Sequence, residues 1–159
     1  MSEQNALPRS GIRTADHPAV DAGETGKTFP FPLRMAFQPI VNLDDGSVFA
    51  WEALVRGPDG QGANWVLDQV GDGMRYAFDQ ACRVTAMREA AKLDLHRHDA
   101  MLSMNFMPNA VYEPANGLLA TLRAAERFNF PPSSIMFELT EEEKVRDSGH
   151  LSRIVSTYK

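Results

Sequence analysis

The chain is poor in several things that would each have pointed somewhere. Cys82 is the only cysteine, so no internal disulfide framework exists and a reducing, cytoplasmic setting is expected. No apolar run is long enough to cross a bilayer, and the opening residues MSEQNALPRSGIRTADHP lack the apolar core of a signal peptide. Basic residues are in deficit: 16 Lys and Arg stand against 21 Asp and Glu, a formal charge of −5. DNA, RNA polymers and anionic membrane surfaces are polyanions, so this balance argues against all of them as general partners. A local pocket need not follow the global charge, and a nucleotide ligand stays open. The glycines of Gly57–Gly62 lack phosphate-loop spacing. Length is short as well: 159 residues suffice for one domain with a core, but a complete eight-fold barrel takes roughly 250.

What is present falls into two unequal parts. Residues 1–33 are rich in Pro, Gly, Ser, Thr and Asp without any strand or helix period, and read as a flexible leader. Residues 34–159 read as one folded domain. Met35 to Val41 alternates and contains Pro39, which suits an edge or barrel-closing strand. Asp44-Asp45-Gly46 is a turn signal, and Ser47 to Val55 is a second alternating strand, so the pair predicts an antiparallel hairpin. A short helix is expected over Trp65–Val70 and a long one over Met74–Leu95. In the long helix Ala77, Ala81, Val84, Met87, Ala91 and Leu95 form the buried stripe, and Cys82 reads as a small buried residue. Ala100 to Phe106 is a third strand, Leu118, Leu122 and Ala125 face inward from the next helix, and Ile135 to Thr140 is a fourth strand. Thr140 and Glu143 have the spacing of a capping box for a last helix running to Lys159, with Asp147 inside it as a solvated residue. Strands alternating with helices after the hairpin favour a parallel sheet with right-handed crossovers.

Three strands carry a polar residue among apolar neighbours. Glu52 shares a face with Val48, Ala50 and Leu54; Asn105 with Met101 and Ser103; Glu138 with Met136 and Thr140. Asn105 and Glu138 lie near the C-terminal ends of their strands, where α/β barrels build their sites. Oxygen donors of this kind suit a hard divalent cation better than zinc. From spacing alone the plainer alternative stays open: three rim residues satisfied by hydrogen bonds or water. His96 and His98, at a helix end, read as favourable partners of the helix dipole rather than ligands.

Four segments in order, Phe37-Gln38-Pro39-Ile40-Val41, Glu52-Ala53-Leu54-Val55-Arg56, Ser103-Met104-Asn105-Phe106 and Phe137-Glu138-Leu139-Thr140-Glu141, closely resemble the ordered motifs of the EAL domain family. The resemblance covers about Leu33 to Lys159. It implies an α/β fold, a TIM-type (β/α) barrel with an antiparallel first strand, here expected to be truncated after about the fourth strand. The family hydrolyses cyclic di-GMP to linear pGpG with divalent metals, so Mg²⁺ or Mn²⁺ is the implied cofactor and cyclic di-GMP the implied partner. By the same resemblance Glu52, Asn105 and Glu138 match metal ligands, and Gln38, Leu54 and Arg56 match substrate-contacting positions. Arg56 suits that role because a guanidinium grips phosphate with paired hydrogen bonds. Glu52 and Glu141 are the implied catalytic glutamates, Glu141 by positioning a loop that arises later in the family's domain; an acidic residue in a first helical turn is its plainer reading. The implied chemistry is metal-assisted attack of water on a phosphodiester, with no protein nucleophile.

The family's paired aspartates, catalytic lysine and further glutamates follow the last of these motifs and are absent from this sequence. The expectation is therefore a phosphodiesterase domain without turnover as this chain alone. A non-catalytic nucleotide-binding or interaction module is the alternative. Either could homodimerise or associate through an exposed barrel edge.

Overall fold

The computed structural model describes residues 29–139 and 147–159, with the side chains of Arg97 and His98 left aside. Its centre is a four-stranded sheet in the order β1-β2-β3-β4, formed by β1 (Arg34–Val41), β2 (Val48–Arg56), β3 (Met101–Phe106) and β4 (Ile135–Leu139). β1 runs antiparallel to β2, while β2, β3 and β4 are mutually parallel. The sheet is open among the described residues, with β1 and β4 as its edges.

Local chemistry accounts for the hairpin. Asn42 accepts from the Asp44 backbone N–H at 3.0 Å, and Asp45 accepts from the Ser47 N–H at 2.9 Å and the Ser47 hydroxyl at 2.7 Å. These short side chains stand in for backbone acceptors across the turn. Pro39 lies on the edge strand, the place in a sheet where proline's missing N–H is tolerated.

Among the described residues four α-helices accompany the strands: α1 (Ala63–Leu67), α2 (Arg75–Lys92), α3 (Pro114–Arg127) and α4 (Ser148–Tyr158). α2 connects β2 to β3 and α3 connects β3 to β4. Both cover the same face of the sheet, where Ala53, Leu102 and Met104 meet Ala86, Met87 and Ala90 of α2 and Ala124 and Ala125 of α3. The alanines let the helices sit close, and Met87 fills the space between them. No helix among the described residues is long and apolar enough to cross a membrane.

Several boundaries and faces differ from the sequence reading. Phe29 and Leu33, inside the stretch read as a leader, are buried with Val66, Phe78 and Ala81. Phe29 stacks edge-on against Phe31 at 4.7 Å, and Phe31 meets Trp65 at 5.5 Å. The burial of α2 is broader than an apolar stripe, because Asp79, Gln80, Arg83 and Thr85 are buried as well. On α3 the inward positions are Pro114, Gly117, Thr121, Ala124 and Ala125, while Leu122 points outward. That face is set by close approach: Gly117 admits Tyr158 at the end of α4, where a larger side chain would not fit, and Thr121 accepts a hydrogen bond from Arg83 of α2. Among the described residues the last helix, α4, begins at Ser148. Asp147 is its cap, accepting from the backbone N–H of Gly149 at 2.8 Å and of His150 at 3.0 Å. The Thr140–Glu143 capping box lies outside the described residues.

Candidate functional site

The strand period places the site. Helix-facing residues on β2, β3 and β4 are Ala53, Leu102, Met104 and Phe137, so their neighbours Glu52, Ser103, Asn105 and Glu138 point to the opposite, open face. Register then brings these neighbours into one row. Gln38 stands opposite Glu52, Glu52 opposite Ser103, and Asn105 opposite Glu138.

Contacts tie the row together. Asn105 Nδ2 donates to Glu52 Oε1 at 3.4 Å, a long bond. The Ser103 hydroxyl donates to Glu138 Oε1. Ser103 is fully buried between the strands, whereas Glu52, Asn105 and Glu138 are half-buried and reachable. Ser103 is a site residue that sequence reasoning passed over: it appeared only as an apolar-face neighbour of Asn105, although its parity with Asn105 put it on the same row.

A cleft of about 1160 Å³ runs over the C-terminal ends of the strands. Glu52, Leu54, Asn105 and Glu138 are in its wall. Because it wraps past the strand ends, Asp79, Cys82 and Arg83 of α2 also reach it. Gln38 and Arg56 stand outside this wall. Gln38 is exposed on the edge strand, and Arg56 Nη1 donates to the carbonyl of Val55 at 2.8 Å. Of the expected substrate-contacting side chains, only Leu54 lines the cleft here. Glu141 lies outside the described residues.

The donor set fits a hard divalent cation in kind. Two carboxylates and one amide project from adjacent strands, and among the described residues their partners are neutral, an amide and a hydroxyl. A half-turn of the Asn105 side chain would present Oδ1 in place of Nδ2. The set is incomplete in number: among the described residues no group of three His, Cys, Asp or Glu side chains could hold a metal. Nucleophilic chemistry has no support from the thiol. Cys82 is half-buried, and burial first, with Asp79 adding to it, pushes its thiol well above the ordinary range.

The EAL domain family pattern matches residues 32–159. The chain belongs to the EAL domain family. Among solved structures, it is similar to a standalone versatile EAL protein from Vibrio cholerae O395 in its c-di-GMP bound form. The two share 48% identity with a TM-score of 0.74, over 82% of this chain and 54% of that one. The Klebsiella pneumoniae protein BlrP1, in a manganese and cyclic di-GMP complex, shares the fold at 23% identity and a TM-score of 0.71, over 81% of this chain and 32% of that one. The blue light- and temperature-regulated antirepressor BluF of Escherichia coli K12 is 25% identical over 126 residues, 79% of this chain and 31% of that protein. The chain thus spans about a third of the curated relative and about half of the Vibrio chain. The fold is that of a partial EAL barrel: the antiparallel first strand and three parallel strands are in place, and the sheet is not closed.

Proposed function

We propose that this EAL domain binds cyclic di-GMP in the cleft at its strand ends, through the metal-dependent site of a cyclic di-GMP phosphodiesterase. One observation carries the reading: Glu52, Asn105 and Glu138 sit on one face of adjacent strands and open into one cleft. The 48% identity to a protein described in a c-di-GMP bound form supports it.

Glu52, Asn105 and Glu138 are the residues that would hold Mg²⁺ or Mn²⁺ by oxygen. When bound, such a cation supplies charge against the phosphodiester and eases deprotonation of the attacking water. The chain's own residues do the rest. Ser103 holds the Glu138 carboxylate in one rotamer, Asn105 braces Glu52, and Leu54 offers an apolar wall for a guanine face. Gln38 and Arg56 flank the cleft on β1 and β2, and either reaches a nucleotide only by changing rotamer. Glu141 is assigned the loop-positioning role on the strength of the motif alone.

Among the described residues this row offers three oxygen donors, fewer than a two-cation site would need. We therefore expect the isolated chain to bind nucleotide without turning it over, in a cytoplasmic setting where that second messenger resides. The open β1 and β4 edges are the surfaces through which a second copy would associate.

The test pairs equilibrium binding of fluorescent cyclic di-GMP, with and without Mn²⁺, with chromatography for pGpG. Mn²⁺-dependent binding that Glu52→Ala weakens tenfold or more, with no pGpG, is the expected result. Absence of binding would sink the nucleotide reading. Glu52-dependent formation of pGpG would sink the prediction of no turnover.

A further inference from the structure

Behind the row of donors, on the helix-covered face, lies a buried ion pair with no place in the chemistry above. Asp79 and Arg83 are one turn apart on α2, 2% and 1% exposed, and their side chains pair directly. Among the described residues, the pair's further hydrogen bonds and ring contacts lead to the strand ends or to the helices packed on them. Asp79 Oδ1 accepts from the Met107 backbone N–H at 3.2 Å. Arg83 Nη1 donates to Thr121 Oγ1 of α3 at 2.9 Å and to the Tyr158 hydroxyl of α4 at 3.3 Å. The guanidinium lies 5.5 Å from the ring centre of Phe106 and 5.8 Å from that of Phe137.

These partners are not scattered. Phe106 follows Asn105 in the chain and Phe137 precedes Glu138, and Asn105 and Glu138 are register partners. One guanidinium therefore holds the neighbours of two donors from behind the sheet. Met107 is the first residue past β3, before Pro108 opens a short 3₁₀ turn over Pro108–Ala110. Its N–H falls beyond the strand ladder, and the Asp79 carboxylate is the acceptor that meets it. A buried ion pair is weak evidence of stabilisation, since apolar residues of similar volume often do as well or better. Placement is the stronger clue to what this pair does.

We propose that Asp79 and Arg83 are positioning residues: Asp79 pins the exit of β3 through Met107, and Arg83 pins Phe106 and Phe137, so that Asn105 and Glu138 keep their aim into the cleft. The proposal rests on the cyclic di-GMP reading of that cleft.

Two double variants separate positioning from packing. Asp79→Leu with Arg83→Met swaps the pair for apolar bulk and leaves Met107 without its acceptor. Asp79→Asn with Arg83→Met keeps an acceptor for Met107. Three properties are read on each full-length chain: thermal melting, hydrogen exchange of the Met107 amide, and Mn²⁺-dependent affinity for cyclic di-GMP. The Leu/Met variant is expected to melt near the parent, to exchange the Met107 amide at least tenfold faster, and to bind cyclic di-GMP about tenfold more weakly. The Asn/Met variant is expected to recover the Met107 protection but only part of the affinity, because Phe106 and Phe137 have lost the Arg83 guanidinium; parental affinity in it would overturn the Arg83 half of the proposal. A folded Leu/Met variant with parental exchange and parental affinity overturns the proposal. If the parent itself binds no cyclic di-GMP, the functional reading falls, and unchanged Met107 exchange in the Leu/Met variant would then overturn the positioning role independently. Should the Leu/Met variant not fold, Asp79→Asn alone decides: Met107 protection and affinity both within threefold of the parent support the role, and lost affinity with retained protection overturns it.

Discussion

Replacing Gly117 by alanine sets helix propensity against packing at one site where both are measurable. Gly117 is buried within α3, and alanine in a helix interior is favoured over glycine by about 1 kcal/mol. The added Cβ, however, would lie 2.8 Å from the Tyr158 hydroxyl oxygen, with Val111 Cγ1 at an ordinary 3.5 Å. That hydroxyl cannot simply rotate away. The ring it terminates is held against Phe106 at 5.7 Å and Phe137 at 5.2 Å, and the oxygen itself meets Arg83 at 3.3 Å. Relief requires the end of α4 to shift, an overpacking cost of about 1–3 kcal/mol. Part of a hydrogen bond to a charged group is lost with it. Net destabilisation of roughly 1–2 kcal/mol is expected, which lowers Tm by roughly 2–8 °C. Tyr158→Phe removes the obstructing oxygen, so in that background Gly117→Ala should stabilise by up to about 1 kcal/mol. Denaturant titration of the four proteins of this cycle gives the coupling directly. If Gly117→Ala raises Tm while Tyr158 is intact, α4 does not dock against α3 as described, and the reasoning fails.

Two further predictions concern stability. Met87, completely buried between α2, α3 and the sheet, should cost about 2–5 kcal/mol when cut to alanine, read from the urea midpoint at unchanged slope. Asp147 is held below its ordinary carboxylate value of 3.8, chiefly by the His150 N–H and also by the Gly149 N–H. A depressed acid stabilises the folded state above its unfolded pKa, and the contribution is lost as pH falls through the folded value. The docking of α4, followed by the exchange of its amides, should therefore weaken on acidification below about pH 3.8, and Asp147→Ala should lack that component. An identical acid profile in the variant would contradict the cap.

Strands were legible in this sequence and helix faces were not, for a physical reason. A strand offers two faces in strict alternation, so one polar residue among apolar neighbours has only one place to point. Parity set Glu52, Asn105 and Glu138 apart from their apolar neighbours, and register then put Asn105 beside Glu138 and Glu52 beside Ser103 on the same face. α2 gave no such clarity. Asp79 and Arg83 at i and i+4 have the spacing of an ordinary solvated ion pair, and nothing local distinguishes that from a buried one. Burial was decided by partners 38 and 75 residues away, Thr121 and Tyr158. α3 misled for a related reason. Of the expected inward positions Leu118, Leu122 and Ala125, Ala125 is buried and Leu118 half-buried, but Leu122 is 39% exposed, because the close approach of α4 is made at Gly117, where a leucine would not fit.

The same division explains why the motifs can be read as short strings while their support cannot. A residue that holds a phosphate or a cation must be of one chemical kind at one point on a strand, so the proposed donors Glu52, Asn105 and Glu138 can be read from short segments. The helix-covered side has only to hold those strands at the right spacing, and many residue combinations can do that. Here the task falls to one guanidinium between Phe106 and Phe137 and one carboxylate under Met107. A chain carrying every motif letter but lacking this support would therefore keep its family resemblance and lose the geometry on which binding depends. Affinity for cyclic di-GMP should accordingly track the exchange protection of the β3 exit more closely than it tracks global stability.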